Sequence, residues 1–464
     1  MVRIKYVIGT FLIILGILTN RIFLEKFISP YAIVELNYRI PVILINLILI
    51  ILGLFLIALK KEHFLPDKIL NNYKFIAIIF FSVFLLFAFI NVLMYGYQVI
   101  RDIGFYKDQI FFSYNKPLEK IYPTLMGREV NLLLYETWSR PYVYEPYTQF
   151  KERPFKGKYV NVHKAGFRIT KDQGPWPPDP QNLNIFLFGG STVFNYGVPD
   201  NQTIASCLQE IISSKSPAIG PASTRRLGEA GEARQGRQKP KAKSYVYNFG
   251  RGNYFSSQEK ILFQELLTSG FVPDLAIFID GLNDFYYFDN EPLFTGRLKK
   301  FVDNKGKTLL VDLPLVNIIK DIKKVADVQH DKGNERYNDK ELLEKVIKRY
   351  VVNKKLIESN ALAFNVKTLF VWQPVPTYKY DLKYHIFSGK GFGKFLYSKY
   401  GYAYMGDYVK KNNMGKNFLW LADSQENVKK PLYVDIDHYS AELSEDIAKR
   451  IYNFLIGSGV YDTR

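Results

Sequence analysis

The chain has 464 residues, of which 48% are hydrophobic and 16% aromatic, and its formal net charge is +18. Its single cysteine, Cys207, excludes an internal disulfide, and with only five histidines the sequence offers no local Cys/His zinc cluster. The positive charge suits a protein beside an anionic membrane or polymer, although solvated basic faces explain it equally well, and no Lys/Arg stripe interleaved with aromatic residues indicates nucleic-acid binding.

Three uncharged, apolar stretches lie near the N-terminus, at Tyr6–Thr19, Ile40–Leu59 and Phe75–Ile100. The second and third are long enough to cross a bilayer core, which takes about 20 residues. The first must continue past Arg21, and no small-residue cleavage site follows it, which argues against a signal peptide. Residues 1–104 are therefore predicted to form a transmembrane region of about three helices.

The number of spans decides on which side of the membrane the rest of the chain lies. Basic residues are slightly more frequent in the N-terminal tail and the second loop than in the first loop, which weakly favours a cytoplasmic N-terminus. Three spans then give a multi-pass protein whose C-terminal domain is extracytoplasmic, whereas two spans return that domain to the cytoplasm. We expect three spans, with two as the alternative.

Residues 105–183 form a connecting segment that is rich in Tyr and Pro and shows little periodicity. Within it, residues 159–170 alternate like a short hairpin. The prolines of residues 174–180 stop regular structure and mark a boundary. His163, the one histidine of this segment, is expected to have a packing or surface role.

Residues 184–464 alternate between short apolar runs and amphipathic helical patterns. Strands are predicted at Ile185–Phe188, Tyr245–Phe249, Leu275–Ile279 and Lys367–Trp372, and helices near residues 203–212, 257–268, 316–328, 339–363 and 440–455. Residues 388–414, rich in Gly, Tyr and Lys, are expected to form a loop. Strand followed by helix, repeated four times, predicts an α/β fold with a central parallel sheet and helices on both faces.

Residues 215–243 differ from their surroundings because they contain no aromatic residue and are rich in Gly, Ala, Arg, Lys and Pro. This composition predicts a disordered insertion within the C-terminal domain. A loop that binds an anionic ligand is the alternative.

The first predicted strand ends in Gly-Gly-Ser-Thr, which puts Ser191 at the strand end where open α/β sheets bind ligands. A serine nucleophile needs a base, an acid that orients the base, and donors for the oxyanion. His438 is the natural base. Asp435 precedes it by three residues and can reach Nδ1, and Asp437 is the second choice. Alone, each motif is more typical of an ordinary turn or a helix cap than of a catalytic site.

Two further strand ends supply uncharged donors. Gly250, Gly252 and Asn253 form a turn rich in backbone N–H groups, and Asn283 offers a side-chain amide. Donors aimed at developing charge are typically worth about 3–4 kcal/mol each in acyl transfer.

Together these stretches resemble, in the same order, the four sequence blocks of the SGNH (GDSL-like) hydrolases. The blocks are Gly189–Thr192, Asn248–Asn253, Gly281–Asp284 and Asp435–His438. The resemblance covers about residue 184 to the C-terminus. It implies a flavodoxin-like three-layer α/β/α fold and neither a metal nor an organic cofactor.

The resemblance also implies a catalytic triad of Ser191, His438 and Asp435, and an oxyanion hole made by the Ser191 amide, an amide of the glycine block and the Asn283 side chain. In the family the donor glycine follows the block's asparagine by five residues. Here that position is Asn253, and Gly252 comes one residue earlier. Either backbone N–H can serve, so both stay candidates. The serine motif does not match the Gly-x-Ser-x-Gly elbow of α/β-hydrolases.

These features predict a membrane-anchored serine esterase or deacylase that acts on an O-acyl ester. The apolar N-terminal region and the basic charge favour a cell-surface or lipid-linked glycan as the substrate. The alternative is an O-acyltransferase that uses the same site to modify a surface polysaccharide, with a polysaccharide-assembly membrane protein as partner. A non-catalytic glycan-binding or assembly protein is the third hypothesis.

Overall fold

The computed structural model describes residues 4–18, 36–58, 78, 81–93, 96, 118–125, 127–215, 243–303 and 337–458. These residues belong to two compact units, residues 1–103 with 296–334, and residues 104–295 with 335–464. The helix predicted at 316–328 lies outside the described residues, as does the predicted insertion except for its first and last residues.

The first unit contains two apolar helices, α1 (Ile4–Leu18) and α2 (Leu36–Ala58). They pack closely, since a Cβ added to Gly9 would lie only 2.6 Å from the carbonyl oxygen of Gly53. Residues 81–93 are also helical. Within the described ranges no helix is both long and apolar enough to cross a membrane, so the structure does not support the three-helix membrane region expected at residues 1–104.

Within the connecting segment of the second unit, residues 118–125 and 127–182 are described, and we call them the accessory segment. The sequence predicted no regular structure here beyond one hairpin. The accessory segment contains helix α3 (Gly127–Trp138) and two antiparallel strand pairs, β1 (Val143–Glu145) with β2 (Gln149–Lys151) and β3 (Phe155–Lys156) with β4 (Asn161–Val162). Arg168 forms bridges to Val162 and to Asn248, and thereby attaches this segment to the main sheet.

Five parallel strands form the main sheet, in the order β6-β5-β7-β8-β9. Their bounds are β5 Leu183–Gly189, β6 Ser244–Asn248, β7 Leu275–Asp280, β8 Lys367–Trp372 and β9 Phe418–Trp420. Numbered from one to five along the chain, the order is 2-1-3-4-5, which is the flavodoxin-like order with its switch point between β5 and β7. The expected central parallel sheet is confirmed, with β9 as a strand that the sequence did not predict.

Helices cover both faces of this sheet. Every residue of β5 is therefore buried, and its side chains alternate between two apolar cores. Ile185 and Leu187 belong to one apolar cluster, and Phe186 and Phe188 to another. The helices of this unit are α4 Ser191–Phe194, α5 Ile204–Lys215, α6 Ser256–Thr268, α7 Leu282–Tyr286, α9 Lys340–Ala363, α10 Leu396–Lys411 and α11 Ala441–Gly457, and only the first residue of α8 (Thr295–Asp303) belongs to it. The α/β fold class predicted from the sequence is therefore observed.

One element contradicts the sequence prediction, because α10 occupies most of the stretch expected to be a loop. Its glycines and tyrosines are poor helix formers by themselves. The helix buries Tyr397, Tyr402 and Met405 in a cluster with Trp372 at the end of β8. Tertiary packing of this aromatic face outweighs the local propensity.

Candidate active site

Ser191 lies two residues after the end of β5, as the first residue of the four-residue helix α4, which is the strand-end position that the sequence predicted. It is 9% exposed. The preceding residue, Gly190, has an ordinary φ of −79°, so a glycine is needed there for space and not for a left-handed backbone. A Cβ on Gly190 would lie 2.9 Å from the Tyr254 carbonyl oxygen and would collide with the Asn283 side-chain amide.

His438 and Asp435 lie in the loop before α11. Asp435 Oδ2 is 2.7 Å from His438 Nδ1, and its Oδ1 accepts the backbone amides of His438 at 2.8 Å and Asp437 at 3.0 Å. Asp437 Oδ1 is farther from the same ring nitrogen, at 3.4 Å. The first-choice carboxylate is thus the closer one.

The two carboxylates differ in how they ionise. Burial raises the pKa of Asp437 to about 7, against the opposing charge of His438. Burial acts on Asp435 in the same direction, but the His438 charge and the hydrogen bonds hold the pKa of Asp435 below its usual value. Burial opposes a charged imidazole, yet the two carboxylates outweigh it and raise the pKa of His438 to about 9.

The serine and histidine loops are joined through Gln373, which follows β8. Its Oε1 accepts hydrogen bonds from Thr192 Oγ1 at 2.8 Å and from Tyr439 OH at 2.9 Å. The residues that follow Ser191 and His438 therefore share one acceptor. His438 Nε2 is buried and has no hydrogen-bond partner among the described residues, so the bond between Ser191 Oγ and Nε2 is not formed in this structure. Such bonds are often long before substrate binds.

Aromatic side chains pack around the imidazole. The Tyr196 ring stacks on His438 with centroids 5.3 Å apart and an interplanar angle of 18°. Trp138 meets the same imidazole edge-on, also at 5.3 Å. Trp138 belongs to α3, so the accessory segment contributes to the wall of the site.

The predicted oxyanion donors differ in whether they already donate a hydrogen bond within the protein. Gly252 N donates to Glu152 Oε1 at 2.9 Å, whereas the Asn253 amide has no acceptor within the described part of the chain. Asn283 Nδ2 donates one hydrogen to the Tyr254 carbonyl at 2.7 Å, which leaves its second hydrogen for another acceptor. The Ser191 amide begins α4 and precedes the first intrahelical hydrogen bond.

Backbone geometry explains the order of residues in this turn. Asn253 has a φ of +62°, a left-handed conformation that asparagine tolerates better than most residues. Gly252 is required for a different reason, because a Cβ there would collide with the hydroxyls of Tyr142 and Tyr196. The glycine provides space, and the asparagine occupies the left-handed position.

The ligand atoms of Asp435, Asp437 and His438 lie within 4.8 Å of one another, and among the described residues this is the one group that could hold a metal ion. The sequence predicted no metal. Because Asp435 already bonds His438 Nδ1, a cation here would compete with the proton on that nitrogen.

Sequence reasoning missed four residues of this site: Trp138, Glu152, Tyr196 and Gln373. Gln373 directly follows a predicted strand, and that strand-end position was a usable signal. Trp138 and Glu152 lie in the segment without periodicity, where no pattern marked them. His163, by contrast, stacks on Phe167 with centroids 4.7 Å apart, in the packing role expected for it.

Comparison with known proteins gave matches among solved structures only. No protein-family model matches the chain, and no curated protein does. One matching structure is an acetyl xylan esterase, with 12% identity, coverage of 58% of this chain and 98% of that chain, and a TM-score of 0.31. Another is a member of the lipolytic G-D-S-L family from Veillonella parvula, with 8% identity, coverage of 59% of this chain and 98% of that chain, and a TM-score of 0.30. A carbohydrate acetylesterase from Sinorhizobium meliloti also matches, with 12% identity, coverage of 59% of this chain and 99% of that chain, and a TM-score of 0.28. Since these similarities are weak, the functional proposal depends on the geometry of the site.

Proposed function

We propose that this protein is a serine esterase or deacylase in which Ser191 is the nucleophile, His438 the general base and Asp435 the acid that orients the base. The observation that carries the proposal is the Asp435–His438 pair, whose loop shares the Gln373 acceptor with the loop of Ser191. The serine follows β5 at the switch point of the sheet, where folds of this order bind ligands.

In the proposed reaction, Ser191 Oγ attacks the carbonyl carbon of the ester while His438 Nε2 takes the hydroxyl proton. Asp435 stabilises the imidazolium that forms. Collapse of the tetrahedral intermediate breaks the bond to the alcohol, which leaves with the proton returned by His438. Water then attacks the acyl-enzyme by the same steps, releasing the carboxylic acid and restoring Ser191.

The developing oxyanion is proposed to be bound by the Ser191 amide, the Asn253 amide and the free Nδ2 hydrogen of Asn283. We choose Asn253 over Gly252 because the Gly252 amide already donates to Glu152. Gly190, which precedes Ser191, lies close to both Asn283 Nδ2 and the carbonyl of Tyr254, the residue after Asn253. Donors of this kind stabilise the transition state more than the ground state.

The proposed substrate is an O-acyl ester of a cell-surface or lipid-linked glycan. Trp138 supports this proposal, because a half-buried indole beside the base offers an apolar face with a polar edge, which suits a sugar ring. We also propose that residues 1–104 anchor the protein in a membrane, with the catalytic domain on the extracytoplasmic side. The support for anchoring is the sequence, since Ile40–Leu59 and Phe75–Ile100 contain no charge. A C-terminal alkaline phosphatase fusion that is inactive in intact cells would contradict that side.

The test compares the wild-type protein with Ser191→Ala on an aryl acetate and with a fluorophosphonate probe. Ser359→Ala, on the exposed face of α9, is the matched control. We expect labelling and turnover in the wild type and in the control, and neither in Ser191→Ala. Labelling that persists in Ser191→Ala would refute the nucleophile. Acetyl release that requires an added sugar acceptor would identify acyl transfer in place of hydrolysis.

A further inference from the structure

The accessory segment holds the Gly250–Asn253 turn through several side chains. Asn253 Nδ2 donates to Tyr142 OH at 2.9 Å, and Arg251 forms an ion pair with Glu145 of β1. Nearby, Gln258 Nε2 donates to the Thr148 carbonyl at 2.8 Å. The turn that carries the proposed oxyanion donor is thus fixed from outside the sheet domain.

Glu152 makes the central contact of this arrangement. It is 1% exposed, and its Oε1 accepts the Gly252 amide at 2.9 Å and the Tyr196 hydroxyl at 2.8 Å. Its Oε2 accepts Arg140 Nη1 at 2.8 Å. A buried carboxylate is tolerated only when it is paired and its lone pairs are used, and Arg140 supplies the opposite charge.

The contact to Gly252 bears on the proposed oxyanion hole. The Asn253 amide belongs to the peptide plane that follows Gly252, so its direction depends on how Gly252 is held. A charged acceptor binds the Gly252 N–H more strongly than a neutral one would. Glu152 accepts the Gly252 amide, whereas the Asn253 amide has no acceptor among the described residues.

The contact to Tyr196 bears on the base. The Tyr196 hydroxyl is held by Glu152, and the Tyr196 ring stacks on His438. The Tyr196 backbone amide donates to the Ser191 carbonyl at 3.2 Å. One carboxylate is therefore connected to the turn beside the oxyanion and to the ring that packs on the imidazole.

We propose that Glu152 is a positioning residue, which sets the direction of the Asn253 amide and the placement of His438 through Gly252 and Tyr196. The proposal rests on the proposed esterase function, since it assigns Glu152 a role in that site. Glu152 does not itself contact the reacting atoms in this role.

The test is Glu152→Gln, with Glu136→Gln as the matched control. The first substitution replaces one carboxylate oxygen by an N–H donor, which must face either Arg140 or the Gly252 amide, so the hydrogen bonds accepted by one of the two oxygens are lost. Glu136 is also buried in the accessory segment and also accepts three hydrogen bonds, from the amides of residues 158–160, but it does not touch the turn. Both substitutions should lower stability, and only the first should affect catalysis.

We expect Glu152→Gln to lower kcat for an aryl ester about 10- to 100-fold with little change in KM, since small displacements of catalytic groups cost about this much. Glu136→Gln should keep its kcat. Glu152→Asp, which retains the charge opposite Arg140 but withdraws it by one methylene, should fold and show a similar loss of kcat. An unchanged kcat in both Glu152 variants would overturn the proposal.

Hydrogen exchange separates this proposal from the proposed function. The Gly252 amide should exchange slowly in the wild type, at least about tenfold faster in the Glu152 variants, and unchanged in Glu136→Gln. If the wild type shows neither turnover nor labelling, the esterase function fails, and the exchange data still decide whether Glu152 holds the turn. Unaltered exchange at Gly252 in both Glu152→Gln and Glu152→Asp would refute the holding role irrespective of activity.

Discussion

Asp435 holds His438 at two points, because Oδ2 lies 2.7 Å from Nδ1 and Oδ1 accepts the His438 backbone amide at 2.8 Å. The carboxylate thereby fixes both the ring and the loop that carries it. It also keeps the Nδ1 proton on the side away from the substrate, which leaves Nε2 to act as the base.

We therefore expect Asp435→Asn to lower kcat by about 10³- to 10⁴-fold, because an amide at this position stabilises neither the correct tautomer nor the imidazolium. Asp437→Asn, the matched change one residue before His438, should lower kcat by less than about tenfold. The measurement is kcat for an aryl acetate in both variants. A larger loss in Asp437→Asn would show that Asp437 is the orienting acid.

The raised pKa of His438, about 9, predicts how the rate depends on pH. A general base must be neutral, so kcat/KM should rise with pH and level off above about pH 9. In Asp435→Asn the attraction that stabilises the imidazolium is weakened, and the rise should move to lower pH. A profile that already levels off near pH 6 in the wild type would contradict the raised pKa.

The same pKa predicts a pH dependence of stability. The folded-state pKa of about 9 exceeds the ordinary value of 6.5, so the stabilisation by this pair is fully present below pH 6.5 and is lost as the pH rises through about 9. The difference in unfolding free energy between wild type and Asp435→Asn should therefore be larger at pH 6 than at pH 10. Urea unfolding at the two pH values measures it, and an equal difference would show that the pair is not charged at pH 6.

Asn283 should contribute mainly to the transition state. Its Nδ2 donates one hydrogen to the Tyr254 carbonyl, and the other is available to the oxyanion. Replacing Asn283 by alanine should lower kcat by about 10²- to 10³-fold, the usual loss for one such donor, and should change KM little. A variant with normal kcat and raised KM would mean that Asn283 contacts the substrate before the reaction and does not bind the oxyanion.

The backbone of Asn253 can be tested apart from its side chain by comparing Asn253→Gly with Asn253→Ala. Both lose the side-chain bonds to Tyr142 and Tyr287, but glycine adopts the φ of +62° without strain. Asn253→Ala should be less stable than Asn253→Gly by about 1 kcal/mol. If the backbone amide is the donor, Asn253→Gly should keep most of its kcat. A loss of about 100-fold in Asn253→Gly would instead assign the donor role to the side chain.

The sequence predicts most of the sheet because buried parallel strands are continuous apolar runs that end in glycine or polar residues. Strand β9 escaped prediction because it has only three half-buried residues, and its pairing with β8 decides its conformation. Helix α10 escaped because its Tyr- and Gly-rich sequence becomes helical through contacts around Trp372. In both cases a long-range contact, invisible in a local pattern, outweighs propensity.

The residues of the candidate site also fall into two groups, those that a local sequence pattern predicts and those that only a long-range contact reveals. Ser191, Asn283, Asp435 and His438 could be found because each lies at a strand or loop end with a recognisable spacing. Glu152 could not, since its partner Gly252 is 100 residues away and only the folded chain shows which amide it accepts. The choice between Gly252 and Asn253 was open for that reason.

Arg168 provides the test of how firmly the accessory segment is attached to the serine loop. Its guanidinium is fully buried, with Nε 2.8 Å from Asp200 Oδ1, and it donates to the carbonyls of Phe194, Asn195 and Val198 at 2.6 Å. Arg168→Met removes these donors and the cation that pairs with Asp200, so it should cost about 3–5 kcal/mol of unfolding free energy.

The control for Arg168 is Arg450→Met on α11, where an exposed arginine pairs with Asp446 at 2.7 Å. Such a surface pair is worth about 0–1 kcal/mol, so this variant should unfold almost as the wild type does. Urea unfolding of both variants measures the difference. Since the three carbonyls that the Arg168 guanidinium binds follow Ser191 within seven residues, Arg168→Met should also lower fluorophosphonate labelling at a denaturant concentration where the protein remains folded. Equal stability of the two variants would show that the attachment depends on the strand bridges alone and that the buried guanidinium is dispensable.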